Sequence, residues 1–253
     1  MTAGGDQCHT PFGVFDLKRY PARPKEQLQA WNSADILLLE SFLALGLPAR
    51  QALVVNDEHG ALTTALQPAG LWTDSRLSAL AVDANVARNG RLPVTITWST
   101  DPPPRGLNCA VMRVPKQAAY FEYQLSLLAD ALPDGASLLA SGMDKHLSPH
   151  TAATLERCFG PTERYPGKRK ARVFHARKAV RGQSRGEWRV AYRCDAIDQD
   201  LFSLPNVFSR EQLDIGSRLL LQHLDALEPA TSVVDLACGN GVLGLAAFRA
   251  GLA

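Results

Sequence analysis

Short apolar runs at Ala52–Val55, Gly70–Thr73, 92–98, 109–114 and 137–141 recur through the N-terminal part of the chain, each separated from the next by a turn or a helical stretch. Runs of this length, apolar on both faces, are how strands of a parallel sheet read when helices cover both sides. Helical periodicity supplies the covers. From Glu26 onward Leu28, Trp31, Leu38, Phe42 and Leu45 share one face, until Gly46 and Pro48 end the run. Further helical stretches are read at Ala61–Leu66, 116–132 and 151–159. Asp74 and Ser75 cap another, with Leu77, Leu80, Ala81 and Ala84 facing inward and Asn89-Gly90 stopping it. The alternation predicts an α/β, doubly wound, Rossmann-like domain over residues 1–180.

The pattern then restarts. Trp188 to Cys194 and Leu201 to Leu204 read as a hairpin across Asp198-Gln199. A helix over 212–227, a strand over 232–236, a glycine-rich turn and a last helix follow. Residues 181–187 are then a basic linker, and 188–253 the opening of a second domain. Two stretches repeat between the halves. Trp31-Asn32-Ser33-Ala34-Asp35 lies over Leu213-Asp214-Ile215-Gly216-Ser217, and the segment from Leu53 to Leu66 lies over that from Val234 to Ala247, with Gly60 on Gly241 and Leu62 on Leu243. Read as a duplication, the repeat predicts tandem domains of one fold.

Hydrophobic content of 46% with 21% charged residues excludes a disordered or fibrous chain. No stretch approaches the roughly 18 apolar residues of a membrane span, and Met1 to Arg19 lacks a signal-peptide pattern. Cys8, Cys109, Cys158, Cys194 and Cys238 are scattered and form no Cys-x-x-Cys. Reduced thiols in a cytoplasm are expected, with neither disulfide frame nor zinc site. Pro149 separates His146 from His150, which read as loop histidines rather than a metal pair. Asp57-Glu58-His59 reads as a surface loop, and Trp98 and Trp188 as core. A monomer without metal or membrane contact is expected.

The net charge of +2 hides an asymmetry. Between Arg157 and Arg193 lie twelve of the 27 basic residues and only Glu163 and Glu187 of the 25 acidic ones, a net +10 against −8 elsewhere. Val173, Phe174 and His175, and then Trp188, Val190 and Tyr192, interleave these charges with strand formers. A basic stripe on an acidic protein attracts and orients a polyanion. Lys168, Arg169, Lys170, Arg172, Arg177, Lys178, Arg181, Arg185 and Arg189 are the predicted phosphate contacts. Composition leaves RNA and DNA both open.

Val233-Val234-Asp235-Leu236-Ala237-Cys238-Gly239-Asn240-Gly241-Val242-Leu243-Gly244 is the stretch that carries chemistry. A strand delivers Asp235, the glycines let a ligand approach the backbone, and the following helix offers N–H groups to an anionic group. The glycines also satisfy the dinucleotide fingerprint, so S-adenosylmethionine and nicotinamide cofactors are both open on spacing alone.

Asp-Leu-Ala-Cys-Gly-Asn-Gly resembles the first motif of class I S-adenosylmethionine-dependent methyltransferases. Asn206-Val207-Phe208-Ser209-Arg210 with Leu213-Asp214-Ile215-Gly216-Ser217 resembles the lead-in segment of the bacterial ribosomal RNA guanine-N2 methyltransferases. Arg19-Tyr20-Pro21-Ala22, Leu28-Gln29-Ala30-Trp31, Val114-Pro115-Lys116 and Phe159-Gly160-Pro161-Thr162 are similar to the large-subunit (23S) methyltransferase G family more than to its small-subunit relative. The resemblance implies a degenerate N-terminal copy and an S-adenosylmethionine-binding C-terminal copy, with 23S ribosomal RNA as partner. It places Asp235, Gly239, Asn240 and Gly241 in the cofactor pocket, with Phe208, Arg210 and Asp214 near it. In the first copy Val54 stands at the position of Asp235 and Glu58 at that of Gly239, so that copy is expected to lack the cofactor.

The family performs its chemistry with an Asn-Pro-Pro motif that draws out the guanine amino group, and no Asn-Pro-Pro occurs here. The chain is therefore expected to be an N-terminal part of the enzyme, the second copy truncated, without catalytic residues and inactive alone. The alternative is a non-catalytic RNA-binding or assembly module.

Overall fold

The computed structural model describes residues 7–182 and 188–252, which divide into two compact units, Met1–Ser184 and Arg185–Ala253. The first unit opens with a hairpin of β1 (Gln7–Thr10) and β2 (Gly13–Asp16) that the apolar pattern does not reveal. There follow α1 (Ser33–Ala44), β3 (Ala52–Val55), α2 (Ala61–Leu66), β4 (Gly70–Thr73), α3 (Arg76–Arg88), β5 (Ile96–Trp98) and β6 (Cys109–Arg113). The unit continues with α4 (Ala118–Ala131), β7 (Ser137–Met143), α5 (Thr151–Cys158), β8 (Thr162–Arg164) and β9 (Ala171–Arg177).

Among the described residues seven strands form one sheet in the order β5-β4-β3-β6-β7-β9-β8. It is parallel from β5 through β7, and β9 runs antiparallel to both its neighbours. β3 and β4 are buried along their whole length, as strands covered on both faces must be. Leu38 and Phe42 of α1, Leu62 of α2 and Val82 of α3 pack with Val54, Leu71 and Val111 of the sheet in one apolar cluster. From β3 the chain builds outward to β5, then returns to place β6 on the other side of β3. In open α/β sheets this reversal leaves a crevice at the carboxyl ends of the strands, where ligands bind.

Several helix boundaries differ from the sequence expectation for visible reasons. α1 starts at Ser33 rather than Glu26, because Asn32 and Asp35 close a capping box: Ala34 N donates to Asn32 Oδ1 at 2.9 Å and Asn32 N to Asp35 Oδ2 at 2.8 Å. Leu28, expected on its inner face, is exposed. α3 turns inward with Ala79, Ala81, Val82 and Val86, while Leu77 and Ala84 are exposed. The inward face also carries Asn85, whose amide donates to Lys18 O at 2.8 Å and His59 O at 2.7 Å. A buried asparagine that serves two backbone carbonyls reads as surface in an apolar count. β5 covers only the end of the run at 92–98, since Leu92 is exposed.

In the second unit β10 (Val190–Cys194) and β11 (Gln199–Ser203) pair antiparallel as expected. α6 (Ile215–Leu221) is shorter than the predicted helix and is followed by a single turn at Leu224–Ala226. α7 (Val242–Arg249) packs Val242 and Ala246 on Cys194, Ile197 and Leu201. The predicted strand at 232–236 is not formed: Val234 is 83% and Leu236 89% exposed. Among the described residues no strand lies beside it to complete its backbone hydrogen bonds. Of the expected linker, 183–187 lies outside the described residues, and Arg185 with it.

Candidate functional site

The glycine-rich turn before α7 holds three left-handed residues in quick succession, Ala237 (φ 59°), Gly239 (φ 55°) and Gly241 (φ 80°). Gly239 lies against Phe208, where an added Cβ would sit 3.6 Å from the ring-bearing carbon, and its other side is exposed. Asp235 Oδ2 accepts from Gly244 N at 2.9 Å and so caps the first turn of α7. Its Oδ1 has no protein partner among the described residues. Asn240 is held from both ends: Nδ2 donates to Tyr192 OH at 2.8 Å and to Ser209 O at 3.1 Å, and Oδ1 accepts from Val242 N at 3.2 Å. Burial raises the Tyr192 phenol above its ordinary pKa, with the bond from Asn240 opposing. The geometry thus brings Asp235, Gly239, Asn240, Gly241 and Phe208 together. Arg210 instead pairs with Glu211 at 2.9 Å, and Asp214 caps α6 by accepting from Ser217 N at 3.1 Å. Tyr192 reads in the sequence only as a strand former and Ser209 only as part of the lead-in segment, because neither a hairpin tyrosine nor a loop carbonyl announces a contact with Asn240.

The first unit repeats this local backbone geometry and surrounds it with different side chains. Asn56 has φ 59°, as Ala237 does. Gly60 precedes α2 at φ 89°, ψ 14°, and Gly241 precedes α7 at φ 80°, ψ 11°. Asn32 and Asp214, aligned by the repeat, are the N-caps of α1 and α6. At the carboxyl ends of β3 and β6, however, Asn56 and Gln124 form a reciprocal amide pair. Asn56 Nδ2 donates to Gln124 Oε1 at 2.7 Å, and Gln124 Nε2 donates back to Asn56 Oδ1 at 2.9 Å. Asn56 also donates to Arg113 O at 3.0 Å, and Gln124 to Tyr120 OH at 3.0 Å. Tyr120 OH and Tyr123 OH donate to Ser99 Oγ and Ser99 O at 2.9 and 2.6 Å, and Tyr123 stacks on Trp72. These contacts tie the carboxyl ends of β3 and β6 to α4 and to Ser99.

The loop Asp57-Glu58-His59 is not the surface segment expected. Asp57 is 1% exposed and accepts from Gly60 N, Thr63 N and Thr63 Oγ1 at 3.0, 2.8 and 2.8 Å. Burial pushes its carboxyl up to about 6, with the charge of Asp35 adding to the rise. Burial also lowers the His59 imidazole below its ordinary value, more than Glu58 at 3.7 Å lifts it. Glu58, which stands at the position of Gly239, points outward. The polar contacts at this end are made instead by the Asn56–Gln124–Tyr120 network. Beside it Arg113 pairs with Asp35 in a largely buried ion pair and donates to Asn32 Oδ1 at 3.2 Å.

The basic residues do not form one stripe. β9 runs from Ala171 beside Met143 to Arg177 beside Ser137. Lys168, Arg169, Lys170 and Arg172 therefore lie at the carboxyl edge of the sheet, and Arg177, Lys178 and Arg181 at the opposite edge. Several are internally neutralised: Lys168 by Glu40 at 2.9 Å, Arg172 by Asp144 at 3.1 Å, Lys178 by Asp134. Arg189, in the second unit, stands over the Phe202 ring at 4.9 Å. Among the described residues no group of three or more His, Cys, Asp and Glu could hold a metal, and no helix is long and apolar enough to cross a membrane.

Residues 5–180 match the family described as the RLMG N-terminal domain, and residues 198–251 match the methyltransferase small domain. The chain is 38% identical over 257 residues to the ribosomal RNA large subunit methyltransferase G of Alcanivorax borkumensis, covering 96% of this chain and 65% of that protein. It is 39% identical over 243 residues to the protein of the same description from Pseudomonas aeruginosa, covering 94% and 65%. The chain thus spans about 65% of the length of these relatives. Among solved structures, the T. thermophilus 16S rRNA N2 G1207 methyltransferase in complex with AdoMet and guanosine aligns with a TM-score of 0.59 at 18% identity. That alignment covers 87% of this chain and 57% of the other. At this identity the likeness concerns the fold: an α/β methyltransferase fold around a mostly parallel sheet.

Proposed function

The chain belongs to the RLMG N-terminal domain family through residues 5–180, and from that premise we propose that it forms the RNA-holding first domain and the opening of the cofactor-binding second domain of a ribosomal RNA methyltransferase. The reaction is transfer of a methyl group from S-adenosylmethionine to the N2 of a guanine in 23S ribosomal RNA. The observation that carries this reading is the turn from Asp235 to Gly241, poised on the first turn of α7 with one face of Gly239 open. Its backbone twin at Asn56 to Gly60 supports a tandem origin for the two domains.

S-adenosylmethionine supplies an electrophilic methyl group when bound. The residues of the turn suit its amino-acid end. Asp235 Oδ1 is an acceptor for an ammonium, and the glycines leave room for close backbone approach. Asn240, tied to Tyr192 and Ser209, holds the turn in place while a ligand enters. In the first copy the Asn56–Gln124–Tyr120 network stands at the corresponding strand ends, which supports a role in holding RNA rather than cofactor. Attack on the methyl group demands that the guanine leave its stack and that acceptors orient its amino group. The Asn-Pro-Pro motif that does so in the family is absent from these residues.

The test is transfer of a labelled methyl group to protein-free 23S ribosomal RNA, by the 253-residue chain and by its natural reading frame continued beyond Ala253. The continued protein is expected to label one guanine at N2 and the 253-residue chain none. Absence of transfer by the continued protein would overturn the enzymatic reading in favour of an RNA-binding or assembly module.

A further inference from the structure

Lys168 and Ala171 exchange both backbone hydrogen bonds, at 2.9 and 3.0 Å, which makes Arg169 and Lys170 the two central residues of a tight turn into β9. Both have positive φ, 53° and 59°. Two left-handed central residues define the type I′ turn, whose favoured sequence is Asn-Gly because long side chains are strained there. Here the two positions carry an arginine and a lysine, both exposed. Strain kept at an exposed tip, where an easier sequence is available, points to use of the side chains themselves.

The neighbours of the turn sharpen the point. Lys168 and Arg172, which flank it, are already paired with Glu40 and Asp144. Arg169 and Lys170 pair with no carboxylate among the described residues. A third unpaired cation joins them from a distant part of the sequence: Asp144 N donates to Lys170 O at 2.8 Å, which sets Lys145 beside the tip. Lys145 lies outside the charged segment, so charge counting along the chain misses it. The opposite edge, with exposed Arg177 and Arg181, is roughly 20 Å away along β9 at about 3.3 Å per residue. Arg177, Lys178 and Arg181 have no positive φ, so no comparable strain is kept at that edge.

We propose that the Arg169–Lys170 turn, with Lys145, is the phosphodiester contact of the first unit, and that the Arg177–Arg181 edge is not. The proposal rests on the RNA reading above and names the surface that serves it. It predicts that this turn trades stability for charge.

The experiment measures binding of a labelled single-stranded oligoribonucleotide to the 253-residue chain across a salt series, alongside thermal unfolding. Each phosphate that a substitution leaves without its cation should reduce the slope of log affinity against log salt by roughly 0.7. The double substitution Arg169→Asn with Lys170→Gly should raise the unfolding midpoint, by relieving the turn, and cut the slope by roughly 1.4. Arg169→Gln with Lys170→Gln should cut the slope equally without the gain in stability, and Lys145→Gln should remove about half as much. Arg177→Gln with Arg181→Gln should leave the slope unchanged. Equal reductions at the two edges, or a wild-type slope in the Asn-Gly variant, would overturn the assignment while leaving RNA binding intact. A wild-type chain whose binding ignores salt would overturn the RNA reading itself.

Discussion

Asp57 and Asp235 perform one hydrogen-bonding task from positions that the internal repeat does not align. Asp235 Oδ2 accepts from Gly244 N at 2.9 Å and Asp57 Oδ2 from Thr63 N at 2.8 Å, and Thr63 and Gly244 are aligned by the repeat. The residue aligned with Asp235 is Val54, fully buried in β3. The carboxylate of the first unit sits three residues later and is buried, with both oxygens accepting from Gly60 and Thr63.

This carboxylate stabilises the first unit more in acid, against the opposite effect of the lowered His59 and His175 imidazoles. The folded chain keeps the Asp57 proton up to about pH 6, whereas an unfolded chain releases it near the ordinary value of 3.8. Its contribution is therefore full below the unfolded pKa and is lost as pH rises through about 6, by up to about 3 kcal/mol. Asp57→Asn should remove that part of the pH dependence. Asp57→Ala should lower stability by about 1–3 kcal/mol, because Gly60 N and both Thr63 donors lose their acceptor. Denaturant unfolding at several pH values reads both effects; a mutant profile parallel to wild type would place the titrating group elsewhere.

Gln124→Leu should cost about 1 kcal/mol, because the half-buried Asn56 loses both bonds to Gln124 but keeps its donation to Arg113 O. It should not create affinity for S-adenosylmethionine, because Tyr120 and Tyr123 remain tied to Ser99 and Tyr123 remains stacked on Trp72. Titration calorimetry on the variant checks this. Micromolar binding would show that the amide pair alone kept the site closed.

Breaking the Asp35–Arg113 pair should be severe. Both side chains are mostly buried, at 9% and 17% exposure, so removing either partner leaves a charge without compensation. Arg113→Ala and Asp35→Ala should each cost about 3–5 kcal/mol, and the double substitution less than their sum. Additive effects in the double-mutant cycle would mean that the pair contributes nothing as a pair.

Tyr192→Phe should loosen the glycine turn without unfolding it. Asn240 would keep its bond to Ser209 O, so the cost is about 1 kcal/mol. Faster amide exchange at Gly239 and Gly241 is the expected signature. In the longer protein, Asp235→Ala should abolish most S-adenosylmethionine affinity and Tyr192→Phe only part of it. Unchanged affinity in the Asp235 variant would move the cofactor site elsewhere.

The central strands were legible because parallel strands buried on both faces leave uninterrupted apolar runs, as at Ala52–Val55. The glycine turn was legible because left-handed backbone favours glycine. Long-range hydrogen bonds left no such mark. Asn85 reads as surface until its partners, Lys18 O and His59 O, are known. The charged segment reads as continuous until β9 parts it, and Lys145 joins it only through the sheet. The run at 232–236 has strand composition, but a parallel strand depends on neighbours that composition cannot provide.

A crevice that closes on a ligand ties the stability of its domain to the ligand's concentration, because binding to the folded state alone shifts unfolding by mass action. On the proposed reading, Asn56, Gln124, Tyr120 and Tyr123 give the first unit an occupant within the chain, always at saturating stoichiometry. Its melting should then be indifferent to the supply of methyl donor. A domain proposed to hold RNA in one orientation would thereby be relieved of metabolic fluctuation, and the response to it would fall to the second unit.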